Sequence, residues 1–272
     1  MAGRPVEDTE ILGEGAADIY VMGDDPTILR AHAENYLDRL KVDFCAQMAE
    51  GRKKRLLVAD MDSTIIGCEC LDELADFAGL KAQIAAITER AMRGELEFEA
   101  ALRERVAMLK GLSVEALHKT YDERVRLNGG ARTLVRTMSE HGARCVLVSG
   151  GFDFFTTRVA EAAGFAADRA NHLDVEGRAL AGTVTEPILG REAKLAALNE
   201  EAAALGVGLH ETIALGDGAN DLAMIEAAGL GVAYRAKPIV AAQADARIDH
   251  ADLTALLYFQ GYQRGDFVTD GQ

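Results

Sequence analysis

Four short apolar runs frame the chain: RLLVAD at 55–60, RCVLVSGG at 144–151, TIALGDG at 212–218 and GLGVAY at 229–234. Each is too brief for a buried helix and is bounded by glycine or acid, the pattern of strands covered on both faces. Helical periodicity falls between them at 131–142, 153–163, 191–205 and 219–228. Strands alternating with helices predict an α/β fold built on a Rossmann-like parallel sheet. The stretch 71–127 is helical almost throughout, with Gly79, Gly94 and Gly111 at its joins and Ser113 as an N-cap. It is longer than a simple crossover needs and predicts a small helical-bundle cap inserted after the first core strand. Residues 170–186 read as a hairpin turning at Glu176-Gly177. The expected division is a β-α-β segment at 1–54 (strand 18–23, helix 27–40, strand 42–46), a core at 55–67 and 129–260, a cap at 68–128, and a flexible tail at 261–272.

Composition narrows what such a fold does. Apolar residues at 49% and charged residues at 27% of 272 suit a packed core. A net charge of −15 repels phosphate backbones and anionic lipid, and Trp is absent, so neither nucleic acid nor membrane is an expected partner. An anionic ligand must then find a locally positive site. No run approaches the roughly 20 apolar residues of a membrane span. The start, MAGRPVEDTE, has no apolar core behind a basic flank, and a cytoplasmic location is expected. Cys45, Cys68, Cys70 and Cys145 are too sparse for a disulfide framework, and Cys68-x-Cys70 lacks a second pair for zinc.

The chemistry gathers at the ends of the apolar runs, where open parallel sheets bind ligands. Asp60 and Asp62, in Asp-Met-Asp-Ser-Thr at 60–64, point the same way on an extended chain. One carboxylate can attack phosphorus and the other can move the protons. Val-Ser-Gly-Gly at 148–151 offers the Ser149 hydroxyl and backbone N–H groups such as that of Gly150 to an anion. Lys194 adds a cation on the helix after residue 191. Gly-Asp-Gly-Ala-Asn-Asp-Leu at 216–222 adds Asp217 and Asp221, and four acids in one site call for a hard divalent cation. Singly, these are also an acid-capped turn, a strand-to-helix turn, a solvated lysine and a Gly/Asp loop. Those plainer readings leave unexplained why three of the motifs cap strands of one sheet.

In this order the motifs resemble the haloacid dehalogenase-like (HAD-like) phosphohydrolases, whose pattern is D-x-D, then Ser or Thr, then Lys, then G-D-x-x-x-D. DMDSTIIGCECLDELADFAGL followed by ITERAMRGELEFEAALRERVAMLKGL is similar to the phosphoserine phosphatases within them, over about residues 56–234. The resemblance implies hydrolysis of O-phospho-L-serine, the last step of L-serine biosynthesis, through an aspartyl phosphate on Asp60. Asp62 would be the acid–base. Mg²⁺ would be held by Asp60, the Asp62 backbone carbonyl and Asp217, with Asp221 supporting the metal shell and Lys194. Ser149, Gly150 and Lys194 would hold the phosphoryl group, and Asn220 would contact substrate or phosphate. Glu69 would meet the substrate ammonium, Arg105 its carboxylate, and Met92 and Phe98 would wall the pocket. The partner is a small-molecule substrate, and the protein a monomer or homodimer. Rival functions are a related phosphatase for another small phosphoester, a phosphotransferase to an acceptor such as homoserine, and a non-catalytic sensor. Retention of both Asp60 and Asp62 argues against the sensor. Relatives often carry a longer amino-terminal regulatory-type domain, of which residues 1–50 supply only part.

Overall fold

The computed structural model describes residues 6–23, 25–92 and 95–269; the side chains at 35, 91 and 92 also lie outside the description. In chain order the elements are β1 (Val6–Gly13), β2 (Ala16–Val21), α1 (Pro26–Arg39), β3 (Leu56–Ala59), α2 (Cys70–Phe77), α3 (Lys81–Met92), α4 (Phe98–Met108), α5 (Val114–Arg124), α6 (Ala131–Glu140), β4 (Arg144–Phe152) and α7 (Asp153–Ala163). There follow β5 (Ala167–Asn171), β6 (Leu173–Glu176), β7 (Ala179–Val184), α8 (Arg191–Leu205), β8 (Thr212–Gly216), α9 (Leu222–Ala227), β9 (Leu230–Tyr234), α10 (Pro238–Gln243), β10 (Ala246–Ile248) and α11 (Ala255–Phe259).

Six strands form one sheet in the order β10-β9-β8-β3-β4-β5, every adjacent pair parallel. β3 shows why: all four of its residues are buried, and their alternation sends Leu56 and Val58 to one face and Leu57 and Ala59 to the other. Val146, Val148 and Ala214 join the first set beneath Ala197, Leu198 and Met224, and Cys145, Leu147 and Ile213 join the second beneath Leu134 and Phe155. The four expected strands all belong to this sheet. β5, of which only the last two residues fall within the segment expected as a hairpin, is a sheet edge. Its sequence, ADRAN, has no apolar run because Asp168 accepts bonds from Thr156 and Thr157 while Arg169 pairs with Glu201. β10, the other edge, has three residues, too short to read.

Helices α2–α5 form the cap, inserted between β3 and α6. Its two linkers are paired: Ile66 bridges Leu127, Gly67 N–H donates to Arg126 O (3.1 Å), and Asn128 N–H donates to Ile65 O (2.8 Å). The expected hairpin is β6–β7, turning through Gly177. It bonds to the α4–α5 loop of the cap, through Gly111 N–H to Leu180 O (2.9 Å), Leu180 N–H to Leu112 O (2.8 Å) and Val114 N–H to Arg178 O (3.0 Å).

Two expectations at the chain ends are corrected. The amino-terminal segment is β-β-α: β1 and β2 form an antiparallel pair, and no strand forms at 42–46, where Asp43 instead accepts from the Asp249, His250 and Ala251 amides. β1 escaped notice because acids occupy much of its exposed side. The expected flexible tail is packed through residue 269: Tyr262 is 2% exposed, edge-on to His141, and Phe267 is 4% exposed beside Tyr258. Aromatic burial holds what polar composition suggested would be loose. Among the described residues, no helix is long and apolar enough to cross a membrane.

Candidate active site

Asp60 follows β3 at its carboxyl end, and its N–H donates to Leu215 O of β8 (2.9 Å), which fixes it to the neighbouring strand. The backbone then turns through Ser63, at φ 56°, with Ser63 N–H donating to Cys68 O (3.2 Å). This turn aims Asp62 back toward the strand ends. There Asp62 accepts from Cys70 N–H (2.8 Å) and from the Ser149 hydroxyl (3.1 Å), which stands near the carboxyl end of β4. Ser149 in turn accepts from Gly151 N–H (2.9 Å).

Lys194, on the first turn of α8, is 2% exposed and lies 2.6 Å from Asp60 Oδ1 and 2.5 Å from Asp221 Oδ1. Burial opposes its charge, and the two carboxylates overcome that, so its value stands above the ordinary lysine range. Asp221, fully buried, uses Oδ2 to accept from the Asp217 (3.2 Å) and Gly218 (3.0 Å) amides. A Cβ on Gly216 would stand 2.5 Å from the Asp221 carboxylate, which is why the turn after β8 needs glycine there.

The acids carry the marks of crowding. Burial raises Asp60 well above the carboxylate range, Asp221 adds to the shift, and Lys194 opposes it. Burial and then Glu69 push Asp62 up to about 6, against the Cys70 and Ser149 bonds. Burial and then Asp221 and Glu69 push Asp217 up to about 6, against Lys237 and the Thr64 hydroxyl, which donates to Asp217 at 3.2 Å. Asp60, Asp217 and Asp221 offer carboxylate oxygens within 4.8 Å of one another, a hard, anionic donor set of the kind a divalent cation takes. That cluster fits a metal ion in chemistry and in electrostatics alike.

Sequence-expected contacts with a substrate lie around this centre. Phe98, the first residue of α4 in the cap, rests on two core glycines: its ring lies 3.1 Å from where a Gly150 Cβ would stand and 3.5 Å from that of Gly190. Glu69 N-caps α2, is exposed, and accepts from the Ser63 hydroxyl (2.6 Å). Arg105 donates through Nε to Ala101 O (3.2 Å), and among the described residues it forms no ion pair. Burial lowers its value, with Asp72 and Glu69 opposing. Asn220 sits on the glycine turn, its Oδ1 2.3 Å from a Cβ built on Gly218. Met92 ends α3, and its side chain lies outside the described residues.

Four further residues had no reading in the sequence. Thr64 and Asn128 brace the loop after Asp60, Asn128 donating through Nδ2 to Thr64 O (2.8 Å). Lys237 N–H donates to Asp217 O (3.1 Å). Asn171 bonds Gly150 O (2.9 Å). Thr64 carries a signal as part of the acid motif, and Asn171 falls at the start of the segment read as a hairpin, which says nothing of its bond; Asn128 and Lys237 sit in segments with no pattern of their own.

Known proteins resemble this chain in sequence and in fold. The sequence model of the haloacid dehalogenase-like hydrolases matches residues 57–226. A phosphoserine phosphatase of Polaromonas sp. is 46% identical over 208 residues, 75% of this chain and 88% of the relative. A HAD family hydrolase of Salmonella enterica serovar Typhi superposes with a TM-score of 0.81 at 32% identity, over 89% of this chain and 85% of that one. A phosphoserine phosphatase solved as a phospho-aspartyl intermediate analogue superposes with a TM-score of 0.70 at 38% identity, over 76% of this chain and 99% of that one. By sequence and by structure, the chain belongs to the haloacid dehalogenase-like hydrolases.

Proposed function

We propose that the protein hydrolyses O-phospho-L-serine to L-serine and inorganic phosphate, with Asp60 as nucleophile. The observation that carries this reading is the pairing of two acids with different partners. Asp60 is bound to a buried lysine through Oδ1, leaving Oδ2 to attack. Asp62, held by Cys70 and Ser149, is pushed up to about 6, which suits a group that must both give and take a proton. The substrate follows the relatives, named phosphoserine phosphatases at 46% and 48% identity.

Asp60 attacks phosphorus as the phosphorus–seryl oxygen bond breaks, and the Asp62 carboxyl gives its proton to that oxygen. Serine leaves. The Asp62 carboxylate then takes a proton from water as the water oxygen attacks phosphorus, the bond to Asp60 breaks and phosphate departs. Ser149, the Gly150 N–H and Lys194 hold the phosphoryl oxygens throughout. Asp60, Asp217 and the Asp62 backbone carbonyl would hold a Mg²⁺ that offsets phosphoryl charge. Both Asp221 oxygens are engaged by Lys194 and the 217–218 amides, which favours a supporting role for it. Glu69 would receive the substrate ammonium and Arg105 its carboxylate, beneath a cap seated through Phe98, with Met92 and Asn220 completing the pocket. All four cysteines are free, which suits the reducing cytoplasm.

The test is phosphate release from phosphoserine, phosphothreonine and p-nitrophenyl phosphate, with and without Mg²⁺, by the native chain and by Arg105→Ala. Metal-dependent release favouring phosphoserine is expected, with Arg105→Ala lowering kcat/KM for phosphoserine by about 100-fold, the scale of a lost charged contact, and sparing the aryl ester. Equal losses on both esters would remove the carboxylate-binding role. Release from the aryl ester alone would keep Asp60 and discard the substrate.

A further inference from the structure

We propose that Asn171 is a positioning residue that sets the phosphoryl-binding floor, joining the Ser149–Gly151 turn to the segment that delivers Lys194; this rests on the function proposed above. Asn171 ends β5 and is 2% exposed. Its Nδ2 donates to Gly150 O (2.9 Å) and to Leu189 O (3.3 Å), and its Oδ1 accepts from Leu189 N–H (2.7 Å). The Leu189 amide can only donate and the Gly150 carbonyl can only accept, so the side-chain amide has one orientation.

Two consequences follow from those bonds. The 150–151 peptide is planar, so holding Gly150 O toward Asn171 aims Gly151 N–H the other way. That N–H donates to Ser149 Oγ (2.9 Å), and the hydroxyl proton is left for Asp62 Oδ2 (3.1 Å). Asn171 thus reaches the acid–base through one rigid peptide and one serine, a chain whose members polarise one another. On its other side, Leu189 precedes Gly190, the N-cap of α8, and Lys194 lies on the first turn of that helix. Phe98 of the cap rests on Gly150, which Asn171 bonds, and on Gly190, the neighbour of Leu189, which Asn171 also bonds. The other polar side chains of β5, Asp168 and Arg169, bond away to α7 and α8.

The full-length protein is tested as Asn171→Ala and as Asn171→Asp, which keeps the acceptor for Leu189 N–H and the shape but loses the donor for Gly150 O. The probe is inorganic phosphate, titrated calorimetrically in the presence of Mg²⁺, with the Mg²⁺ half-saturation and the melting temperature measured alongside. Leu134→Ala, in the core beneath the sheet, is the control for lost stability. Both Asn171 variants are expected to bind phosphate about 10-fold more weakly, as for a buried carbonyl left without its donor, with Mg²⁺ half-saturation unchanged; Leu134→Ala should lower the melting temperature alone. Native phosphate affinity in Asn171→Asp overturns the proposal, as do phosphate and Mg²⁺ affinities falling together in step with melting temperature. If Asn171→Ala does not fold, Asn171→Asp decides. A native chain that ignores phosphoserine yet binds phosphate sinks the substrate and leaves this test intact, whereas one that binds no phosphate sinks the floor as well.

Discussion

A lysine 2% exposed keeps its charge only because two carboxylates lie 2.6 and 2.5 Å away, while burial raises Asp60 beside it. Asp60, Asp62 and Asp217 all hold protons more tightly in the folded chain than in the unfolded one. Their contribution to stability is therefore full below the ordinary carboxylate value and is lost as pH rises, through about 6 for Asp62 and Asp217 and through the raised value of Asp60. His172, raised by its bond to Asp153, acts in the same direction at somewhat higher pH. Asp174, Glu201 and Glu211 are lowered, so their contribution disappears only in acid, below this window. Chelator-treated protein should accordingly melt lower at pH 7 than at pH 5.5. Asp217→Asn should raise the pH 7 melting temperature of that metal-free protein by about 2 °C, a relief discounted for partial exposure, and should abolish stabilisation by added Mg²⁺. An unchanged pH slope in Asp217→Asn, followed by calorimetry, would remove Asp217 from the cluster. At this scale the sequence was legible where a residue sat in a spaced motif, as Asp60, Asp62 and Asp217 did, whereas Lys194 drew meaning only from the motifs on either side of it. Asn171 was not, because its partners are backbone atoms of two distant loops, and backbone carries no sequence signature.

Elements divide along a similar line. β3, β4, β8 and β9 are apolar runs because both faces of the sheet are covered, and burial writes itself into composition. β5 and β10 are edges whose side chains are partly polar, and β1 is largely exposed, so none announced itself. The β6–β7 hairpin was readable from its turn, but its destination was not: main-chain bonds to residues 111–114 make it an extension of the cap that springs from the core. Gly182 is the close approach in that contact, at φ 82° and with a built Cβ 2.8 Å from Lys110 Cβ. Gly182→Ala should push the hairpin from the cap and leave it poorly seated, at a cost of about 1–2 kcal/mol for the backbone alone. The expected signature is a rise in KM for phosphoserine of about 10-fold, since cap contacts to the substrate loosen, with the aryl ester changed less than 2-fold. A melting shift with unaltered kinetics on both esters would make the hairpin a brace with no part in seating the cap.

At the scale of the whole molecule, the β1–β2 hairpin meets the segment after α11. Gln263 donates to Glu10 of β1 (2.9 Å), Arg52 pairs with Asp18 of β2 (2.6 Å), and a Cβ on Gly13 would stand 2.7 Å from Tyr258 Oη. Residues 258–268 therefore lie between the amino-terminal hairpin and α6, where Val268 N–H donates to the Thr137 hydroxyl (2.9 Å). Composition alone pointed to a loose tail because Gly, Gln, Arg and Asp outnumber the two aromatics that anchor it. Phe267 is the more peripheral anchor, its ring 5.0 Å from that of Tyr258 and under the Arg264 guanidinium. Phe267→Ala should lower unfolding stability by about 3 kcal/mol, at the modest end for a buried ring because the site lies near the surface, as read from urea denaturation. Among the described residues its hydrogen bond and ring contacts are to Arg264 and Tyr258, away from the Asp60 cluster, so kcat and KM at 25 °C should stay native. A loss under about 0.5 kcal/mol, the range of ordinary surface changes, would return the segment to the status of a tail. A loss of turnover at full stability would instead mean that the terminal strap reaches the catalytic acids through α6 and the Asn128 brace.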